Sequence, residues 1–208
     1  MTPYQDIAEE LLQHGTSTLC EASGLPCALD FALRPVWPGA AVAGPAYPVR
    51  CAPGDNLGIH IALDAMPPGH VMVVDAYGYI AGYWGEVLTV GAQARQVLGL
   101  VIDGGCRDIA ALERRKFPVF ARGVGMRGTV KHHCPSAGEP IVVAGVMIAP
   151  GDLIVADADG VLSLPQAHVQ RTLDGARKRT EKEAGTMRRL QSGETTLELL
   201  GLTAHRKR

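Results

Sequence analysis

A chain of 208 residues with 47% apolar residues is long enough for one domain with a sizeable core and too apolar for a disordered segment. A net charge of −1 and only 5% aromatic residues argue against a nucleic-acid surface, a base-stacking platform or an anionic-membrane partner. The five cysteines are odd in number and scattered without a CxxC pair, the pattern of free thiols in a reducing cytoplasm.

The opening MTPYQDIAEELLQHG carries acids where a signal peptide needs a basic and then an apolar run. No apolar stretch reaches the length of a membrane span, so the expected location is cytoplasmic. Tyr4 to Gly15 predicts a helix with Ile7, Leu11 and Leu12 on one face and Gly15 as its stop. Thr16-Ser17-Thr18 offers caps for a second helix through Leu19 and Ala22. Pro26 to Pro38 reads as an irregular connection. Pro45 and Pro48 interrupt Ala40 to Arg50, which predicts only a short or edge strand.

Asn56 to Ala65 has helical spacing behind an Asp55-Asn56 cap, and Pro67-Pro68-Gly69 then forces a turn. Val71 to Asp75 is a β-branched run, most simply a buried strand. A glycine-rich loop follows, then a helix over Glu86 to Leu98 with Gly99 as its stop. Leu100 to Asp103 reads as a buried strand ending in a Gly104-Gly105 turn. Ile109 to Arg115 reads as a short helix and Pro118 to Ala121 as a third strand. The repeated strand–helix–strand order argues for a parallel α/β core. After Gly128 the texture becomes sheet-rich. Val130 to His133, Pro140 to Ile148, Leu153 to Asp157 and Gly160 to Leu164 read as short strands around PGD and ADADG turns. From Gln166 onward the chain is charged and mainly helical. Residues 1–165 are therefore expected as one α/β domain and 166–208 as a helical arm of that domain, ending in a solvated basic tail, His205 to Arg208.

Polar chemistry concentrates between Gly85 and Asp108. A helix N-terminus presents unpaired N–H groups and partial positive charge. Gly85 lets an anion approach, and the N–H groups of Glu86, Val87 and Leu88 face it. The Glu86 side chain is then either a first-turn acid favouring the helix dipole or a group that holds a metal-bound water. Arg107 follows a buried strand at its carboxyl end, the usual ligand side of an open α/β sheet. It suits a carboxylate or a polarised keto oxygen, or else a salt bridge. Asp108 is either the N-cap of the next helix or a direct oxygen ligand to Mg²⁺ or Mn²⁺. Elsewhere the signals are weaker. His132-His133-Cys134 has metal-binding residue types, but strand neighbours point to opposite faces. Cys106 beside Arg107 reads as a passive small residue, and Asp157 and Asp159 as turn formers. Gly123-Val-Gly125 lacks the strand–helix context of a dinucleotide site.

An acid after glycine, twenty residues, then Arg-Asp (Glu86, Val87 to Cys106, Arg107-Asp108) resembles the class II pyruvate aldolases of the RraA-like family. These cleave 4-hydroxy-4-methyl-2-oxoglutarate and 4-carboxy-4-hydroxy-2-oxoadipate. PGDNLGIHIALD, PGHVMVVDA, FPVFARG and PGDLIVADADGVLSLP are similar to the family as well, so the likeness spans roughly Thr16 to Pro165. The resemblance implies a layered β/β/α domain assembled as a homotrimer or homohexamer with sites shared between subunits. It implies a divalent cation, Mg²⁺ or Mn²⁺, bound directly by Asp108. Arg107 would contact the keto oxygen, and Gly85, Glu86, Val87 and Leu88 the pyruvyl carboxylate. Glu86 would order metal-bound water, though many of these aldolases have Asp there, and the extra methylene shifts that water. An acid from the neighbouring subunit's arm, Glu183 first and Glu194 second, would complete the site. Retro-aldol cleavage to pyruvate would be joined by oxaloacetate decarboxylation through the same enolate. The family's other branch regulates a ribonuclease or an RNA helicase without catalysis. That branch typically lacks the Asp of the Arg-Asp pair, which this chain has.

Overall fold

In the computed structural model, which describes residues 5–206, the chain runs α1 (Gln5–His14), α2 (Thr16–Ser23), β1 (Arg34–Pro35), β2 (Val42–Arg50), α3 (Leu57–Ala65), β3 (Val71–Asp75), α4 (Glu86–Ala94), β4 (Gly99–Cys106), α5 (Ile109–Arg114), β5 (Val119–Val124), β6 (Ser136–Ala137), β7 (Ile141–Val143), β8 (Val146–Ile148), β9 (Leu153–Asp157), β10 (Gly160–Leu164), α6 (Gln166–Gln191) and α7 (Thr196–Leu199). Tyr4 and the last two residues of the basic tail lie outside the described residues. Among those described, eight strands form one mixed sheet in the order β1-β5-β4-β3-β2-β9-β10, with β6 beside β2, while β7 and β8 pair as a separate hairpin. Strands β2, β3, β4 and β5 are mutually parallel, as the strand–helix–strand order predicts. The remaining pairings are antiparallel.

The sheet curls until its edges nearly meet. Ala28 bridges to Leu162 of β10, and Arg34 on β1 donates from Nη1 to the Asp159 carbonyl at 2.7 Å. The result is a mixed α/β domain with an almost closed, barrel-like sheet and a long C-terminal helix. Its main core lies among the parallel strands, α3 and the loops around Trp84, with Val73, Ile102, Phe120, Ile59 and Trp84 fully buried. A second core forms where α1, α2 and α6 cover β9 and β10, joining Leu11, Leu19, Val155, Leu162 and Leu173. Each such side chain contributes about 1.5–3 kcal/mol by leaving water. Helix α6 buries Val169, Thr172, Leu173 and Ala176, the spacing of one helical face, and nothing beyond them. No helix among the described residues is long and apolar enough to cross a membrane.

Several expectations give way. The proline-bearing segment is not short or at an edge: β2 is nine residues long and central. It changes partner where the prolines fall, pairing with β9 over Val42–Pro45 and with β3 over Ala46–Arg50. Gly104-Gly105 is not a turn but lies within β4, at a bulge against β5. Helix α4 ends at Ala94, with Gln96 at φ 58°, and Gly99 opens β4 instead of stopping the helix. Pro140 to Ile148 is a hairpin, turned by Ala144 (φ 47°) and Gly145 (φ 87°). Val130 to His133 makes a single bridge from Val130 to Asp55 and no strand. Thr16 heads α2, and its cap comes from afar: the Asp157 carboxylate accepts from its N–H at 2.8 Å and its hydroxyl at 2.6 Å.

Candidate active site

The carboxyl end of β4 is where the site forms, because the chain before it folds back tightly. The loop between β3 and α4 crosses β4 at its two glycines. A Cβ on Gly104 would lie 2.8 Å from that of Ala76, and one on Gly105 would lie 2.7 Å from the Ala81 nitrogen. Trp84 bridges to Cys106, the Arg107 N–H donates to the Trp84 carbonyl at 2.9 Å, and the Trp84 ring stacks on Phe117 at 5.7 Å. The indole N–H donates to Thr89 Oγ1 at 2.8 Å, and that hydroxyl donates to the Gly85 carbonyl at 3.0 Å. The first turn of α4 is thereby fixed beside Arg107 and Asp108.

Asp108 precedes α5 but does not cap it with its side chain. Its backbone is left-handed (φ 63°, ψ 36°), a conformation that costs about 1–2 kcal/mol and that Asp tolerates better than most residues. That turn aims the carboxylate back at α4, where Oδ2 accepts the Glu86 N–H at 3.0 Å. The Arg107 Nε lies 3.9 Å from the same oxygen. Gly85 is extended, so it is needed for room, not for its dihedrals: any Cβ there would collide with Asp108 Oδ2 and crowd Arg107 Cγ at 3.2 Å.

These residues open onto a cleft of about 300 Å³ lined by Gly85, Val87, Leu88, Arg107 and Asp108 on one side. Asn56, His60, Tyr83, Thr129 and Lys131 line the other. The second wall is built from the N-terminus of α3 and the segment after Gly128. Asp55 joins them: it accepts from Leu57 N–H at 2.9 Å, His132 N–H at 2.7 Å and His133 N–H at 2.9 Å. Burial pushes its carboxyl up, but these three donors outweigh that and hold it below the ordinary Asp value. Asn56 Nδ2 donates to the Tyr83 carbonyl at 3.0 Å, tying α3 to the glycine loop. Burial first, and Lys131 second, hold His60 below the usual imidazole range, so its ring is uncharged at neutral pH.

The structure thus brings together Gly85, Val87, Leu88, Arg107 and Asp108. Glu86 divides: its N–H belongs to Asp108, while its carboxylate turns away to Arg115, 3.0 Å from Nε and 2.9 Å from Nη2. Glu183 pairs with Arg179 at 2.8 Å and Glu194 with Arg189 at 2.7 Å, and neither lines the cleft of its own chain. Cys106 is buried and its thiol is pushed up to about 12 by that burial, so it is inert, as a passive small residue should be. Asn56, His60, Thr129 and Lys131 are the cleft residues that spacing does not reveal. The one available signal was His60, a polar residue inside the otherwise apolar run LGIHIAL that opens α3.

No group of three or more His, Cys, Asp or Glu side chains converges as a metal cage among the described residues. The donor set still fits a hard cation. The Asp108 side chain is 42% exposed, and Mg²⁺ commonly takes one or two protein carboxylates and fills the rest of its shell with water and substrate oxygens.

A family model for the RraA-like proteins, described as Aldolase/RraA, matches residues 16–163. A Halalkalibacterium halodurans protein named "Putative 4-hydroxy-4-methyl-2-oxoglutarate aldolase" is 37% identical over 152 residues, covering 73% of this chain and 72% of that protein. A Burkholderia multivorans protein of the same name is 34% identical, covering 71% of this chain and 93% of its own. Among solved structures, Streptomyces coelicolor RraAS2, described as an unusual member of the RNase ES inhibitor RraA protein family, superposes with a TM-score of 0.79 at 25% identity, over 89% of this chain and 98% of that one. Fold, glycine-dependent packing and matched sequence agree, and the chain belongs to the RraA-like family.

Proposed function

We propose that this protein is a divalent-metal-dependent lyase that cleaves a 4-hydroxy-2-oxo acid, of the 4-hydroxy-4-methyl-2-oxoglutarate or 4-carboxy-4-hydroxy-2-oxoadipate type, to pyruvate. The observation that carries this reading is the convergence of Arg107 and Asp108 on the open first turn of α4 in one cleft. The pyruvyl carboxylate sits against the first turn of α4, where the Val87 and Leu88 N–H groups and the helix dipole favour an anion, and the Glu86 N–H joins them once it is released by Asp108. Arg107 donates to the keto oxygen and holds the negative charge that develops there as the C3–C4 bond breaks. Asp108 would hold Mg²⁺ or Mn²⁺, which when bound would supply Lewis-acid stabilisation of the same charge. Oxaloacetate decarboxylation leaves electrons on the same enolate, so it accompanies cleavage. Glu86 is paired with Arg115 in the first turn of α4, and its carboxylate would order water at a bound cation only after leaving that partner. We further read residues 1–165 as the family domain and 166–208 as an arm that makes subunit contacts, with Glu183 reaching a neighbour's cleft in a trimer or hexamer.

The test is a lyase screen coupled to pyruvate detection, using oxaloacetate and several 4-hydroxy-2-oxo acids with and without chelator. Pyruvate release is expected only with the metal. Asp108→Ala and Arg107→Ala should each lower it by about 10²-fold or more, the scale of losing one group that holds transition-state charge. Full activity in both variants would place the site elsewhere. A second reading rests on the Streptomyces structure: a non-catalytic regulator that binds a ribonuclease or helicase. Stoichiometric capture of a ribonuclease, with no lyase activity on any oxo acid, would favour it.

A further inference from the structure

Lys131 lies on the cleft wall that faces Arg107 and Asp108. Among the described residues, no ion pair or side-chain hydrogen bond engages its ammonium. Its charge is felt inside the cleft, where it adds to burial in holding the His60 ring uncharged. The backbone on either side of it is fixed, although this segment forms no strand. The Val130 N–H donates to the Gly54 carbonyl at 2.9 Å, and the Val130 carbonyl accepts from the Asn56 N–H at 3.0 Å. The two N–H groups that follow Lys131, those of His132 and His133, both donate to the Asp55 carboxylate. Fixing one residue's backbone costs about 1–2 kcal/mol, and here that cost is met for a segment whose side chains in the cleft are Thr129 and Lys131.

The charges lining the cleft are therefore unbalanced. Arg107 and Lys131 are cations, Asp108 is the one carboxylate among the lining residues, and a divalent ion on Asp108 would add to the excess. A ligand with a single carboxylate at α4 leaves the far cation unmatched, and a cation walled by protein attracts an anion more strongly than one in open water. The cleft, at about 300 Å³, is small for a ligand site, so an acid seated at Arg107 extends towards the opposite wall. We propose that Lys131 binds a second carboxylate of the substrate, the one carried on C4, and makes the cleft select 2-oxo acids with two or more carboxylates over monocarboxylic acids of the same length. The inference rests on the lyase reading of this cleft. Both substrate types named there carry a carboxylate on C4, and it leaves with the second product when the C3–C4 bond breaks. Lys131 takes no part in that bond cleavage: its ammonium holds the departing half of the substrate as a charged hydrogen-bond donor.

Calorimetric titration with two probes tests this without any turnover. 2-Oxoglutarate and 2-oxopentanoate share a five-carbon 2-oxo acid chain and differ in ending in a carboxylate or a methyl group. Neither has the C4 hydroxyl that cleavage needs. With Mg²⁺ present, the wild-type protein should bind 2-oxoglutarate the more tightly by about tenfold or more, the scale of one hydrogen bond to a charged group. Lys131→Met should bring the ratio of the two affinities close to unity, and Lys131→Glu should reverse it. Taking the ratio within each preparation separates the role from a structural one, because damage to the cleft weakens both acids alike. Equal binding of the two acids by wild type would overturn the proposal. So would a wild-type ratio that persists in both variants, since the second carboxylate would then be read elsewhere. If pyruvate and both probes fail to bind wild type with Mg²⁺, the lyase reading itself falls, a result distinct from either of these.

Discussion

Asp108 shows how one residue's backbone can decide its chemistry. Read along the sequence, it is an N-cap or a metal ligand with nothing to choose between them. The left-handed dihedrals remove the first option, because the carboxylate is swung off α5 and onto the N-terminus of α4. This has a consequence with an unexpected sign. In metal-free protein the carboxylate occupies the Glu86 N–H, one of the donors that an incoming anion needs. Asp108→Ala should therefore bind pyruvate more tightly than wild type when chelator is present, by about the 1.5–3 kcal/mol of a hydrogen bond to a charged group at most. Calorimetric titration of pyruvate into both proteins checks it. Weaker binding by the variant would mean that the α4 turn is not the carboxylate site. The roles of Glu86 show the opposite limit of legibility: the sequence places it in the right turn, but its pairing with Arg115 depends on a helix packed alongside, which spacing does not disclose.

At the scale of elements, much of the order was readable and several boundaries were not, for physical reasons. The β-branched run of β3 and the apolar run opening β4 announce buried parallel strands, and both are buried throughout. Pro45 and Pro48 misdirect because proline is excluded only where its missing N–H is required, and β2 changes partners across that stretch. Gly104-Gly105 misdirects because glycine marks turns and close approaches alike. Here the loop backbone at Ala81 lies on the strand. Gly105→Ala would drive a methyl group into the Ala81 backbone, so it should destabilise the fold by about 1–3 kcal/mol or more. Thermal unfolding should show a matching fall in Tm. An unchanged Tm would mean that the loop can lift away at no cost, and the site's rigidity would then need another source.

At the scale of the whole molecule, the second cleft wall is made of two parts of the chain, 77 and 78 residues apart at the bonds that join them, and the buried carboxylate of Asp55 ties them together beside its bridge to Val130. This explains why Lys131 and Thr129 could not be assigned from sequence: their place depends on a long-range cap. Because the folded carboxyl sits below its ordinary value, the stabilisation is present above the unfolded-state pKa and is lost as pH falls through the folded one. Asp55→Asn should accordingly lower Tm near neutral pH, and the gap from wild type should narrow as pH drops below about 4, where Asp ordinarily titrates. Denaturation curves across that range decide the point. A gap that stays constant with pH would show that the cap acts by shape and not by charge.

The near-closure of the sheet also bears on how this chain can meet other molecules. A strand edge is the easiest place for one protein to join another, since its backbone groups are unspent and ask for no particular partner. Here β1 is two residues long, and the Arg34–Asp159 contact and the Ala28 bridge draw the ends of the sheet together. Recognition must then be written in side chains, on helices such as the exposed far half of α6 and on the loops around the cleft. At the main sheet, the same curl that gathers the parallel strands beneath the cleft therefore makes association selective: a partner there has to match a surface and cannot merely extend a ladder.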